Sequence, residues 1–285
     1  DYHQRFLKFL EYVQSEDLTC SGMVTDAKGD RSLSPGEQAD PDVYLRVTEV
    51  REDGIIVRGA KAHQSGAALA HFNLVVPTTS MKENEKEFAV AFAVEPNAPG
   101  IVHIAEAPAP NARRLFESDE MDFGNFEFGV HGSTLVVFND VFIPKERVFM
   151  CGEYEFAGVM ASTFGTFQRM ATAGCKSGHC DLTYGAAAVA AEYNGCDKMS
   201  HVRDKIVEMS FQSALAYGTA IAAGYKAKAT ASGVYLPDDL LVNAAKLQAV
   251  DAVWQASKLA TEIAGGMICT APSQKDLENP EIAQY

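Results

Sequence analysis

A chain of 285 residues with 47% hydrophobic and 22% charged side chains has the balance of an ordinary globular protein, long enough for one large core or two domains. Its 38 acidic against 24 basic residues give a formal charge of −14, which repels nucleic-acid phosphates and anionic lipid heads, so neither is expected as a partner. Every apolar stretch is broken before the roughly 18 positions that a membrane-spanning helix needs, and no secretory segment is legible. Six scattered cysteines (Cys20, Cys151, Cys175, Cys180, Cys196 and Cys269) need no disulfide framework in a chain of this size and fit a reducing, cytoplasmic compartment.

The chain opens inside a helical pattern, with Phe6, Phe9, Leu10 and Val13 on one face, so residues 1–19 read as the end of a helical region and the whole as a fragment. Residues 20–152 change character. Gly, Pro, Asp and Asn clusters separate short β-type runs at 43–50, 55–58, 72–76, 88–94 and 135–143. Period-two alternation from Val43 to Val47 suggests a half-buried strand, and the lack of helical segments between the runs predicts an antiparallel β domain. The acidic stretch 117–122 reads as a surface loop. Residues 153–285 are Ala-rich and predict helices near 157–193, 201–231 and 238–264. Pro237, Asp238 and Asp239 mark the start of the third, and Gly265 and Gly266 its end. The fold class is α+β, a β domain followed by a helical bundle, and nothing at Tyr285 suggests a natural terminus.

Chemistry-bearing residues concentrate in a few places. Thr25, Asp26, Lys28, Gly29, Asp30, Arg31 and Ser32 put cations, carboxylates and hydroxyls around one glycine, a turn that can cradle a pyrophosphate or the polar edge of a flavin; the same composition also describes a surface turn with local ion pairs. A second segment, Arg58 to Gly66 with Lys61, His63, Gln64 and Ser65, follows a strand inside the acid-free stretch 54–82, which predicts a patch open to anions. Other acid-free stretches carry Arg169, Lys176 and His179, or Lys226 and Lys228. Cys175, His179 and Cys180 are of metal-ligand type, but no C-x2-C partner accompanies them and buried thiols are the commoner state. Trp254, with Leu247, Val250 and Leu259, is expected in the core of the third helix.

Taken in order, TDAKGDRS (25–32), ADPDVYLRV (39–47), EDGIIVRGAKAHQSGA (52–67), LVVFNDVFIPKERVFMCGEYEFAG (135–158), GCKSG (174–178) and EIAGG (262–266) resemble the 4-hydroxybutyryl-CoA dehydratase/vinylacetyl-CoA Δ-isomerase branch of the 4-hydroxyphenylacetate 3-monooxygenase family. The resemblance covers nearly the whole chain and implies an acyl-CoA dehydrogenase-like fold that lacks here its N-terminal helical part and last C-terminal stretch. It implies FAD held against residues 25–32 and His63, Gln64 and Ser65, between the β domain and the helical bundle of a homotetramer, with Gly265 and Gly266 near a neighbouring subunit's cofactor.

In that branch a 4Fe–4S cluster is held by a C-x3-C pair on an upstream helix, then by a His and a Cys seven residues apart. The resemblance places Cys175 at the last ligand position, Lys176 directly after it as the pattern requires, and Gln168 where the histidine belongs; Thr172 stands at a Tyr position. An amide is a poor iron ligand and cannot remove the C2 proton of a thioester. The implied catalytic positions are therefore Gln168 and Lys176, with His63 or His179 as alternative bases, and Cys175 and Gln168 should share one helical face, Cys175 turned to a cavity. The expected function is flavin-dependent dehydration of 4-hydroxybutyryl-CoA to crotonyl-CoA, with vinylacetyl-CoA isomerisation. The alternatives are an FADH2-dependent aromatic monooxygenase, which needs no cluster, and a paralogue that keeps the fold without the cofactor.

Overall fold

Two four-stranded sheets facing each other form the first part of the chain, and alternation along their strands decides what lies between them. The structure, a computed structural model, describes residues 2–105 and 132–285. The 117–122 stretch and the side chain of Cys269 lie outside the described residues. The chain divides into two compact units, Asp1–Ser162 and Thr163–Tyr285.

In the first unit, helix α1 (Tyr2–Ser15) precedes strands β1 (Cys20–Met23), β2 (Arg46–Val50), β3 (Gly54–Ser65), β4 (Phe72–Val75), β5 (Val90–Val94), β6 (Ile101–Ala105), β7 (Ser133–Pro144) and β8 (Val148–Cys151). One sheet has the order β1-β4-β5-β8 and the other β2-β3-β7-β6. Pairing is antiparallel apart from β1 and β4, which run parallel. The core between the sheets takes Met23, Val75, Phe92 and Val148 from the first and Val57, Val136, Phe138 and Ile143 from the second, with Phe92 and Phe138 edge-to-face at 6.1 Å. On β7 the inward phase changes from Val136 and Phe138 to Val141 and Ile143 because a bulge, with Asp140 at φ 51°, adds a residue opposite the β3 segment from Val57 to Gly59. Phe9 of α1 is buried against Phe72 and Phe149, whereas Leu10, expected on the same face, is exposed.

The strand expectations need specific corrections. Within 43–50 the strand begins only at Arg46: Pro41–Val43 form a 3-10 turn, and Tyr44 and Leu45 are both buried, so the alternation there is not that of a strand. The run 55–58 extends to Ser65, because Gly59 at φ 134° does not end the strand but lets the Tyr44 carbonyl approach; a Cβ there would lie 2.3 Å from that oxygen. The run 88–94 starts at Val90, since Phe88 closes a 3-10 turn, and β1, β6 and β8 lie outside the expected runs.

In the second part, α2 (Ala157–Tyr193), α3 (Ser200–Tyr225) and α4 (Asp239–Ala264) match the Ala-rich segments. Asp238 caps α4 through Leu241 N at 3.0 Å, and Gly265 ends it at φ 71°. Helix α3 stops six residues short of the expected 231: Lys226 caps it, and the chain turns through Gly233 into a small hairpin of β9 (Lys228–Ala229) and β10 (Tyr235–Leu236). The helices pack through small side chains, Ala173, Ala216, Ala220, Ala245 and Ala249 in one cluster and Ala187, Ala252 and Ala256 in another. Trp254 and Leu247, expected in this core, are 74% and 63% exposed; the alanine stripe of α4 is the packed face, and the larger side chains stand on the other. Among the described residues no helix is long and apolar enough to cross a membrane.

Candidate functional site

The loop after β1 owes its shape to two residues. Gly29 sits at φ 49°, the left-handed region that glycine adopts without strain, and a Cβ on it would push against Gln38 Oε1. Gln38 sews the loop shut: its Oε1 accepts from Asp30 N at 2.9 Å, and its Nε2 donates to Asp30 O at 2.7 Å and Leu33 O at 3.2 Å. Asp30 and Ser32 turn to each other, since Asp30 Oδ1 accepts from Ser32 N at 2.9 Å and Ser32 Oγ at 2.7 Å, and the two bonds hold the carboxyl below its ordinary range. Asp26 is buried: its carboxylate pairs with Lys61 Nζ at 2.9 Å and accepts from Leu45 N at 3.1 Å. Lys28, half-buried at φ 74°, and the exposed Arg31 form no ion pair among the described residues.

The second segment lies directly beside this loop. Ala62 N donates to Thr25 O at 2.9 Å, as does Gln64 Nε2 at 2.9 Å, so the two stretches singled out by composition are hydrogen-bonded neighbours. A register shift between Lys61 and Gln64, with His63 at φ 56°, leaves His63 and Ser65 exposed and turns Gln64 inward, where its amide also donates to Ala62 O. Ser65 Oγ shares a hydrogen bond with Ser133 Oγ at 2.9 Å. The expected anion-open patch over 54–82 is not formed by its first two cations. Arg58 reaches Asp42 at 2.7 Å and Asp140 at 2.9 Å, and Lys61 is buried on Asp26, because a stretch without acids still meets acids across the sheet.

A cleft of about 480 Å³ opens beside the loop, with Lys28, Arg31 and Ser34 on one side, Thr78, Thr79, Ser80 and Lys82 on another, and Tyr44 and Glu85 among the groups lining it. Three cations and several hydroxyls around one concavity suit an anionic, phosphate-bearing ligand. Glu85 does not cancel them freely. Its residue is 1% exposed, and its oxygens accept from Lys82 N at 2.8 Å and Gly36 N at 3.1 Å. Burial alone would raise its pKa, but the hydrogen bonds, including one from Ser34, outweigh it and hold the carboxyl below its ordinary value of 4.5. A depressed folded pKa means stability that is present above the ordinary value and lost as pH falls through the folded one. The unfolding midpoint of Glu85→Gln should therefore lie below wild type near neutral pH, and the gap should close as the pH falls below the ordinary carboxyl range; a gap that stays constant with pH would refute the assignment.

On α2, Gln168 and Cys175 are both exposed and lie on one face of an unbroken helix, since seven residues make nearly two turns of about 3.6 residues. Thr172, between them, donates to Gln168 O at 2.7 Å. Lys176 is half-buried and His179 exposed, whereas Cys180 is buried in the helical core at 1% exposure, so Cys175, His179 and Cys180 do not converge. Among the described residues no three His, Cys, Asp or Glu side chains gather to hold a metal. The donor set this chain offers, one exposed thiol and an amide, does not fit a 4Fe–4S cluster by itself.

Sequence reasoning misses Gln38 and Glu85, which act through folded neighbours, whereas Lys61 stands in the second candidate segment and the 78–82 wall ends the acid-free stretch 54–82. Residues 1–150 match the 4-hydroxyphenylacetate 3-hydroxylase N-terminal domain, and residues 157–285 match the C-terminal domain. The chain belongs to the 4-hydroxyphenylacetate 3-hydroxylase family.

Within this family it is 43% identical over 99% of its length to the 4-hydroxybutyryl-CoA dehydratase/vinylacetyl-CoA-Δ-isomerase of Clostridium aminobutyricum, of which it covers 57%. An oxygen-tolerant archaeal 4-hydroxybutyryl-CoA dehydratase from N. maritimus matches 100% of this chain, and 56% of its own, with a TM-score of 0.95 and 40% identity. The oxygenase component of 4-hydroxyphenylacetate 3-monooxygenase, solved with FAD and 4-hydroxyphenylacetate, matches 98% of this chain and 58% of its own with a TM-score of 0.84; at 24% identity this is a likeness of fold. Glutaryl-coenzyme A dehydrogenase shares the fold more distantly, at 18% identity and a TM-score of 0.61 over 91% of this chain and 59% of its own. The family fold seen here is thus α+β and acyl-CoA dehydrogenase-like, and the chain spans a little over half the length of these relatives.

Proposed function

We propose that the full-length protein is a flavin-dependent lyase/isomerase of short-chain acyl-CoA thioesters, dehydrating 4-hydroxybutyryl-CoA to crotonyl-CoA and isomerising vinylacetyl-CoA. The observation that carries this reading is an identity of 40–43% to dehydratases along the entire chain, against 24% to the aromatic oxygenase. Outward-facing apolar side chains on the helices, Phe211, Leu215 and Trp254 among them, support a homotetramer, and the reading takes it as cytoplasmic.

The residues present fit a flavin. Lys28, Arg31 and Lys82 would neutralise its phosphates and the hydroxyls of Ser34 and Thr78–Ser80 would complete the cradle; this reading assigns further contacts to Thr25, His63 and Ser65, in and beside the β3 segment hydrogen-bonded to the loop. Bound FAD supplies redox chemistry at the unactivated C3 hydrogen. Asp26 and Gln64 support the loop from inside, and Gly29, Asp30 and Ser32 set its turn. The C2 proton needs a base. Gln168 can orient a polar group but cannot take a proton at neutral pH, so the protein should dehydrate slowly; His63 and His179 are the next candidates for the base, and Lys176 supplies a cation next to Cys175.

Gln168 favours one second reading, the FADH2-dependent monooxygenase, since that chemistry asks for no cluster ligand at this position. Absorbance, iron and acid-labile sulfide of the anaerobic full-length protein, assayed with 4-hydroxybutyryl-CoA, separate the two. Flavin with about four irons per chain and crotonyl-CoA as product supports the lyase. Flavin without iron, and hydroxylation of a phenol by reduced flavin, would establish the monooxygenase instead.

A further inference from the structure

Because β1 and β4 are parallel neighbours, with Met23 opposite Val75, the chain leaves both strands at the same end of the sheet. The next residue of each, Val24 and Val76, turns its carbonyl to one ammonium: Lys61 Nζ donates to Val24 O at 2.8 Å and Val76 O at 3.0 Å, and to Asp26 Oδ1 at 2.9 Å. Three donors meet three acceptors, and Lys61 is 2% exposed. Burial disfavours the charged form of both partners, lowering Lys61 and raising Asp26, and each charge opposes the shift of the other. The segment after Val24 carries Lys28 and Arg31, and the segment after Val76 carries Thr78, Thr79, Ser80 and Lys82, so the two walls of the cleft are rooted on one nitrogen.

We infer that Lys61 is a positioning residue: it fixes the separation of the two loops that wall the cleft and thereby sets how tightly a diphosphate-bearing ligand is held. The ligand's identity as FAD rests on the flavin reading above; the positioning role does not. Lys61 itself touches no solvent-facing part of the cleft, and removing it alone would strand a buried carboxylate, which is strongly destabilising. A neutral pair leaves no such charge.

The test uses the full-length protein with Lys61→Met/Asp26→Asn, or Lys61→Gln/Asp26→Asn if the first does not fold, beside Val141→Ala as a control that weakens the sandwich core elsewhere. Amide hydrogen exchange and FAD affinity are read well below the unfolding midpoint. Segments 24–33 and 76–83 should exchange together about tenfold faster in the neutral pair, with Ser133–Pro144 unchanged, and FAD should bind about tenfold more weakly. Val141→Ala should loosen neither segment selectively nor weaken FAD. Wild-type exchange in either segment, or loosening shared equally with Ser133–Pro144, would overturn the positioning role, as would unaltered FAD affinity in a neutral pair whose wild type binds FAD. If the wild type takes up no FAD, the flavin reading fails and the exchange result alone decides the inference.

Discussion

Lys28→Ala/Arg31→Ala is expected to strip flavin from the full-length protein. A charge-assisted hydrogen bond to phosphate contributes about 1.5–3 kcal/mol when well formed, and the exposure of Arg31 argues for the low end. Two such losses weaken binding on the order of a hundredfold. Lys28 carries a further signature: a lysine at φ 74° gives up backbone comfort that glycine or asparagine would keep, and such strain is retained where a side chain is needed in one place. Lys28→Gly should accordingly raise the unfolding midpoint while lowering flavin retention. Full flavin stoichiometry after gel filtration of the double variant would remove Lys28 and Arg31 from the cofactor site.

The second large effect is expected at Gln168. The continuous α2 helix puts it on the face of Cys175, two turns away, so a histidine there presents an imidazole where this chain presents an amide. Gln168→His in the full-length protein should raise bound iron and, by supplying a proton acceptor of suitable pKa, increase dehydration of 4-hydroxybutyryl-CoA on the order of a hundredfold. Equal rates for the two proteins would mean that the base is elsewhere, with His179 and His63 the next residues to replace. A gain in iron without a gain in rate would separate the ligand role from the base role.

What was legible in the sequence divides along the distance over which each residue acts. Helices α2 and α4 match their expected ranges because alanine content, Asp238 and Gly265 are local signals, whereas nothing local marks the end of α3 at Tyr225. The loop around Gly29 and the segment around His63 were found by composition, and they prove to be adjacent through Thr25. The inward turn of Asp26 was not foreseen, because its partner is a lysine on another strand, just as the Lys61 acceptors Val24 and Val76 lie 37 and 15 residues away. The partners of Arg58 are hidden for the same reason: Asp42 comes from the turn before β2 and Asp140 from the bulge of β7, and both approach only once β3 has paired with those strands. Trp254 departs from the expectation that size marks the core, because close helix packing selects alanine.

That packing leaves the helices little apolar area of their own to bury. Burying alanine removes little apolar area from water, and each alanine contributes far less than the roughly 1.5–3 kcal/mol of a buried leucine or phenylalanine. The larger residues of α3 and α4, Val207, Phe211, Leu215, Ile221, Leu247 and Trp254, are held on the outside, where only another surface can turn them to account. If the proposed homotetramer covers them, mass action governs the fold: diluting the full-length protein should lower its thermal midpoint, and a midpoint that is flat over a wide concentration range would mean that these side chains find their cover within one subunit.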